Sequence, residues 1–284
     1  MTREELENET KRFTVNKQQV ALRPSYWASV SGGKDSLYML NYILHNIDRY
    51  PLDGVVHFEL EIDYPFIHDV INYMESECKR FGIQFVRIRP RKTWDELYEK
   101  YGFPTRKSRW CNNHYKLDAS RQLSEWLNKA GFFVVSYIGY CADEESRFKK
   151  RLSAKKLEIY PLVENGINED MILEWAKTQP IFNDYYKFNK RCGCMYCPMS
   201  SYMSFAYLYK YYPANFQFMI EKMRETEELR EEGIIYYMTT KEQGDCTVFV
   251  PADQNFEPDT YQLLEILVEP GNEEYDYFFV GVAE

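Results

Sequence analysis

Between residues 26 and 163 the chain alternates short β-rich runs with amphipathic helical stripes, and that rhythm leaves few folds open to it. YWASVS (26–31) is apolar and ends at Gly32-Gly33; Leu37, Leu40, Ile43 and Leu44 then recur at helical spacing. GVVHFELEI (54–62) is β-rich, and Ile67, Val70, Ile71, Met74 and Cys78 follow as a second stripe. IQFVRIR (83–89) reads as a third strand. A polar, proline-containing segment (100–109) leads to a helix with Leu117, Leu123, Trp126 and Leu127. FFVVSYIGY (132–140) reads as a buried strand, and KLEIYPLV (156–163) closes the series. Strands separated by helices pair in parallel through right-handed crossovers. The rhythm therefore predicts an α/β, Rossmann-like, doubly wound parallel sheet. Ligands of such sheets sit beyond the carboxyl ends of the strands, which directs attention to the turn at 32–33, the 57–65 segment and the loop at 141–147.

SGGKDS, Ser31 to Ser36, lies where a strand gives way to a helix. Glycines at such a turn let successive backbone N–H groups converge on phosphate oxygens, and the helix N-terminus adds positive potential. Ser31 and Ser36 can donate hydroxyl hydrogen bonds, Lys34 adds charge, and Asp35 either caps the helix or helps to hold Mg²⁺. The string is neither G-x-x-x-x-G-K-S/T nor G-x-G-x-x-G. A tight turn with a serine cap is the plain structural alternative.

Past residue 164 the pattern changes. NEDMILEWAK (168–177) is helical. Residues 201–232 are helical with a break at Pro213 and a stop at Gly233, and IIYYM, CTVFV and YFFVGV are strand-like pieces between acidic turns. The expected organisation is an N-terminal extension (1–24), a nucleotide-binding α/β domain (25–164) and a mostly helical, cysteine-bearing region (165–284).

Charge narrows the partners. With 35 basic and 44 acidic side chains the net charge is −9, which disfavours a broad nucleic-acid footprint without excluding nucleic acid. RFKKRLSAKK (147–156) and VRIRPRK (86–92) are local exceptions suited to anions. The 25 tyrosines are spread along the whole chain, which reads as half-buried packing rather than base-stacking platforms. No run of 18 apolar residues suggests a membrane span. MTREELENETKRF lacks the apolar core of a secretory signal, so a cytoplasmic location is expected.

The cysteines stand at 78, 111, 141, 192, 194, 197 and 246. An odd number with three packed into 192–197 is not a disulfide framework and fits a metal or cluster in a reducing compartment. Cys194 and Cys197 have the two-residue spacer that lets two thiolates share one metal, and Cys192 is a further candidate. Cys141, at the end of a strand, either fills a turn or carries sulfur as a nucleophile if nearby positive charge lowers its pKa. Cys78 and Cys246 read as core, and His45, His57 and His68 show no ligand spacing.

SGGKDS resembles the PP-loop, SGGxDS, of the ATP-pyrophosphatase superfamily. GYCADEESR (139–147) is similar to the G-x-R-x-x-E-S-x-x-R element of the phosphoadenosine-phosphosulfate (PAPS) reductase family and its sulfate adenylyltransferase relatives, with Cys141 in place of the arginine. YPLVENGINEDMILEWAK (160–177) resembles that family's Y-P-L segment and helix. NDYYKFNKRCGCMYCP (183–198) resembles its C-x-x-C segment, and RWCNNHYK (109–116) its cysteine–lysine element. These pieces cover most of residues 25–200 in order.

The resemblance implies ATP and Mg²⁺ at Ser31, Gly32, Gly33, Lys34, Asp35 and Ser36, with Lys34 and Asp35 acting in catalysis and Arg147 touching the nucleotide. Lys116 matches the family lysine. The resemblance also places Cys111 beside Cys194 and Cys197, so that Cys111, Cys192, Cys194 and Cys197 would hold a [4Fe-4S] cluster or Zn²⁺, with His114 competing for the fourth position. The C-terminal E-C-G-x-H motif of true PAPS reductases does not occur, and the likeness runs toward the DNA-phosphorothioation sulfurtransferase branch. The expectation is an ATP-dependent sulfurtransferase that adenylates its substrate and draws on a sulfur donor such as a cysteine desulfurase. A sulfonucleotide reductase and a non-catalytic nucleotide-binding module of a phage or defence system are the alternatives.

Overall fold

In the computed structural model the described residues are 22–106, 108–144, 147 and 157–230, with the short strand pieces 14–15, 18–19, 237–239 and 247–248. Cys246, Lys149, Lys150, Arg151 and YFFVGV lie outside them.

Five strands form one parallel sheet: β1 (Arg23–Val30), β2 (Gly54–Phe58), β3 (Phe85–Ile88), β4 (Phe132–Tyr137) and β5 (Glu158–Ile159). Their order is β3-β2-β1-β4-β5, so the Rossmann-like, doubly wound α/β fold is what the chain adopts. The winding runs outward from β1 to β3 and then crosses to the far side for β4. The order reverses between β1 and β4, and the crevice at their carboxyl ends is the switch point at which such sheets bind ligands. Register is set by Trp27 opposite Gly54 on β2 and Trp27 opposite Ser136 on β4. Gly54 is required because the Trp27 ring lies across it: a Cβ there would stand 2.6 Å from the ring. The tryptophan is 1% exposed and packs with Val56, Leu123 and Leu127, sealing one face of the sheet. On the other face Tyr26 stacks on Tyr137, which meets Tyr50 edge-on.

The helices are α1 (Lys34–Leu44), α2 (Pro65–Arg80), α3 (Trp94–Tyr101), α4 (Leu117–Lys129), α5 (Pro161–Glu164), α6 (Glu169–Lys177), α7 (Tyr202–Tyr211) and α8 (Pro213–Arg230). Every residue of the two stripes read from the sequence is buried in α1 and α2, joined by Lys34, Ser36, Met39 and Phe66. Two segments differ from the sequence reading. Of KLEIYPLV only Glu158–Ile159 pairs in the sheet, because Pro161 lacks an N–H for the ladder and opens α5 at its first position. Residues 94–101, the last two of which the sequence reading places in the polar segment 100–109, form α3. Thr93 Oγ1 accepts from Glu96 N–H while the Glu96 carboxylate accepts from Thr93 N–H, a capping box.

The chain divides into two compact units. The first comprises residues up to 60, 65–91 and 116–182, and holds the sheet with α1, α2, α4, α5 and α6. It runs past residue 164, taking in α6. The second comprises 61–64, 92–115 and 183 onward, and holds α3, α7 and α8. In it Tyr98 OH donates to the Lys222 carbonyl at 3.1 Å, and Thr226 Oγ1 accepts from Phe103 N–H at 2.8 Å, tying α3 and its following turn to α8.

Candidate functional site

The turn after β1 leads directly into an uncapped helix N-terminus. Gly32 has φ +78°, a conformation that costs other residues about 1–2 kcal/mol, and Gly33 is the N-cap of α1. No side chain caps that terminus, and the first-turn N–H groups of any helix have no partner within it. Ser36 Oγ donates to Gly33 O at 2.9 Å and accepts from Ser31 N–H at 3.3 Å, holding the turn closed from inside. Ser31 is exposed, Gly33 and Asp35 half-buried, and Gly32, Lys34 and Ser36 buried.

The charged residues of the turn point to each other. Lys34 Nζ stands 2.7 Å from Asp35 Oδ1 and 3.0 Å from Glu169 Oε1, with its side chain 2% exposed. Burial opposes the ammonium's charge, but the two carboxylates outweigh it and raise its pKa. Burial also raises the pKa of Asp35, against the lowering effect of Lys34. Opposite the turn, Gly139 lets the chain after β4 approach closely: a Cβ there would lie 3.1 Å from the Asp35 carbonyl oxygen.

Arg147 is held by two contacts. It pairs with the buried Glu144, and its guanidinium lies 4.7 Å from the centre of the Tyr140 ring. Glu144 also accepts from Cys141 N–H at 3.1 Å. Cys141 is buried, and burial together with Asp35 and Glu144 pushes its thiol up. That environment favours a turn-filling residue over an activated nucleophile. Sequence reasoning missed Glu169 and Tyr140. The signal for Glu169 was available: Asn168 caps α6, accepting from Met171 N–H, and a glutamate follows it in the first turn.

The cysteine segments belong to the second unit. Cys111 is buried and opens a π-helical turn, Cys111–Lys116. That turn is fixed by Tyr115, whose hydroxyl donates to Glu61 Oε2 at 3.1 Å and accepts from Glu61 N–H. Cys194 is buried, Cys192 and Cys197 are half-buried, and Met195 N–H anchors their loop to the Ile62 carbonyl at 2.9 Å. One ring serves both segments: Trp94 packs at 4.7 Å on Trp110, next to Cys111, and at 6.1 Å on Tyr196, between Cys194 and Cys197. The buried Tyr64 and Tyr185 lie within electrostatic reach of Cys192. His114 is exposed and stacks on Tyr101. The donors are thiols, the type that iron–sulfur clusters and structural zinc take. Among the described residues, however, no three His, Cys, Asp or Glu side chains are gathered closely enough to hold a metal ion.

A parallel sheet with a glycine turn and an uncapped helix at its switch point defines a Rossmann-like α/β protein. More narrowly, the chain belongs to the phosphoadenosine phosphosulfate reductase domain family, whose model matches residues 25–199. It is 27% identical over 209 residues to the uncharacterized protein MJ0973 of Methanocaldococcus jannaschii, covering 69% of this chain and 47% of the relative. It is 27% identical over 182 residues to MJ0066 of the same organism, covering 59% and 35%. The matched stretch thus spans less than half the length of either relative. Among solved structures it is similar to the U34-tRNA thiolase NcsA of Methanococcus maripaludis with its [4Fe-4S] cluster, at 20% identity and a TM-score of 0.42 over 82% of each chain. Among the described residues no helix is long and apolar enough to cross a membrane.

Proposed function

We propose that this chain is an ATP-dependent sulfurtransferase-type enzyme that activates its substrate by adenylation. The observation that carries the reading is the uncapped N-terminus of α1, presented by Gly32 and Gly33 at the sheet's switch point. A substrate oxygen attacks the α-phosphorus of ATP, the bond to the bridging oxygen breaks, and pyrophosphate leaves. Backbone N–H groups of Ser31–Ser36 hold the departing diphosphate and stabilise its developing charge. Asp35 meets the nucleotide's Mg²⁺, in the usual manner of one carboxylate beside substrate phosphates. Arg147, oriented by Glu144 and Tyr140, contacts the adenine nucleotide. A hydrosulfide-level nucleophile, released from the persulfide of a cysteine-desulfurase-class donor by a thiol reductant that is oxidised to disulfide, then displaces AMP from the activated carbon.

Cys111, Cys192, Cys194 and Cys197 would hold a [4Fe-4S] cluster, which when bound offers a site for the transferred sulfur. Metal binding would gather the two segments that Trp94 already joins. The pairing of Lys34 with Asp35 and Glu169 favours the second reading, a nucleotide-binding module without turnover. Pyrophosphate release by anaerobically purified protein, given ATP and a panel of acceptors, tests both. Turnover that disappears in Asp35→Ala supports the enzyme. Stoichiometric ATP binding without pyrophosphate across the panel supports the module.

A further inference from the structure

Next to the cysteine loop of the second unit lies a buried amide of which only one end is satisfied. Asn189 precedes Cys192 by three residues and is 7% exposed. Its Oδ1 accepts from Ser201 Oγ at 2.9 Å and from Ser204 Oγ at 3.0 Å. Ser201 Oγ already accepts from Ser204 N–H as the cap of α7, so its own proton goes to the amide oxygen and fixes which end faces that helix. Tyr185 OH meets Ser204 Oγ at 2.9 Å, and Tyr64 OH donates to the Ser204 carbonyl at 3.4 Å. Asn189 Nδ2 has no hydrogen-bond partner among the described residues.

A buried amide N–H without an acceptor is costly, and native proteins seldom leave one. The surroundings identify the acceptor that is missing. Tyr185, joined to Asn189 through Ser204, is within electrostatic reach of Cys192 and Cys197, and Tyr64 of Cys192 and Cys194. The network therefore borders every thiol of the loop, and Cys192 is common to both tyrosines. Cys192 Sγ stands 3.4 Å from the Gly193 carbonyl oxygen, a contact in which the thiol donates its proton. A thiol that coordinates a metal gives up that proton and becomes an acceptor. A buried N–H donor is what such a sulfur then needs.

We propose that Asn189 Nδ2 donates a hydrogen bond to the Cys192 sulfur once that thiolate ligates a metal, making Asn189 a positioning residue of the metal centre. This rests on the reading of Cys192 as a ligand. The bond holds the thiolate's orientation and offsets part of its charge, as hydrogen-bond partners of metal ligands do. Ser201 and Ser204 act one step further out, by fixing the amide oxygen.

Anaerobic titration of the reduced, metal-free, full-length protein with Co²⁺ tests this. Thiolate-to-cobalt charge transfer gives an absorption band whose intensity counts thiolates and whose energy follows the charge on them. Asn189→Asp keeps the oxygen that the serines hold and replaces the donor with an acceptor. It should weaken Co²⁺ binding roughly tenfold, the lower end of what losing a ligand's hydrogen-bond partner costs, and move the band to lower energy. Asn189→Ala removes the donor without adding charge. It should move the band in the same direction, and it serves if the aspartate variant does not fold. Ser204→Ala leaves Ser201 on Oδ1 and the donor in place, so it should move the band far less. A shift in Ser204→Ala as large as in the Asn189 variants would mark a merely structural network and overturn the proposal. An unmoved band in both Asn189 variants would overturn it too, and would give the amide to a buried water. Cys192→Ser should cut the band's intensity. No charge-transfer band in the wild type, or full intensity in Cys192→Ser, would overturn the reading of Cys192 as a ligand, a result distinct from a band that is present and unmoved.

Discussion

Gly139 presses against the backbone of Asp35: a methyl group on it would stand 3.1 Å from the Asp35 carbonyl oxygen and 3.3 Å from the Ser36 Cα. The neighbour is main chain, so it cannot move aside as a side-chain tip would. Gly139→Ala should therefore displace the Gly32–Gly33 turn. Overpacking of this kind costs about 1–3 kcal/mol. The expected result is a loss of ATP affinity of roughly tenfold or more, larger than the drop in melting temperature alone would account for. Titration calorimetry beside thermal melting separates the two, and unaltered affinity would place the nucleotide elsewhere.

Gly32 is constrained twice. Its φ of +78° is left-handed, and a Cβ there would come within 2.7 Å of Ile67 Cγ2 on α2. Gly32→Ala should lose about 1–2 kcal/mol to the backbone alone, and more to the clash. Ile67→Ala removes the obstructing methyl, so its cost and that of Gly32→Ala should sum to more than the cost of the double variant. Urea unfolding of the three variants measures that coupling, and simple additivity would deny the contact.

The sequence was informative where structure is local. The spacing of Leu37, Leu40, Ile43 and Leu44, and of Ile67, Val70, Ile71, Met74 and Cys78, marked two helices because burial repeats with the helical period. SGGKDS marked the turn because few residues tolerate its backbone. Long-range pairings left no such trace. Nothing near Lys34 announces that its ammonium meets Glu169, 135 positions later. The assembly of 61–64, 92–115 and 183 onward into one unit rests on Trp94 meeting Trp110 and Tyr196, and aromatic residues carry no period by which to pair them. The tyrosines, read as half-buried packing, are in several cases fully buried, with Tyr64, Tyr115, Tyr137 and Tyr185 at 1% exposure or less.

Cys78 gives the fold a pH dependence of known sign. It is fully buried on α2, and burial pushes its thiol from an ordinary 9.0 up to about 12. A raised pKa means that the folded state binds the proton more tightly than the unfolded state does. The resulting stability is whole below about pH 9 and is lost as pH climbs toward 12. Cys78→Ala should be less stable at neutral pH through its cavity, yet should lose less stability between those limits. A neutral alkylating agent at pH 8 should leave Cys78 unmodified in the folded protein while reacting with half-buried Cys192 and Cys197 in metal-free protein. Labelling of Cys78 at the same rate as those two would show that α2 opens without global unfolding.

Trp94 packs against the residue beside Cys111 and the residue between Cys194 and Cys197, so the fold of the second unit and its metal content should be linked. Trp94→Ala should cost about 3–5 kcal/mol, as large-to-small changes in a packed core do, and should lower bound metal as well. Cys197→Ser removes a thiolate while leaving the aromatic core intact, so it should release metal with far less effect on folding. Cys78→Ala, remote from the motif in sequence and in the other unit, should keep its full complement. Anaerobic reconstitution with counts of iron, zinc and labile sulfide reads all three variants. Iron with sulfide marks a cluster, and stoichiometric zinc without sulfide marks a structural site. A Cys197→Ser protein with undiminished metal would remove that cysteine from the ligand set and leave Cys111, Cys192 and Cys194 to be tested with His114 as the fourth donor.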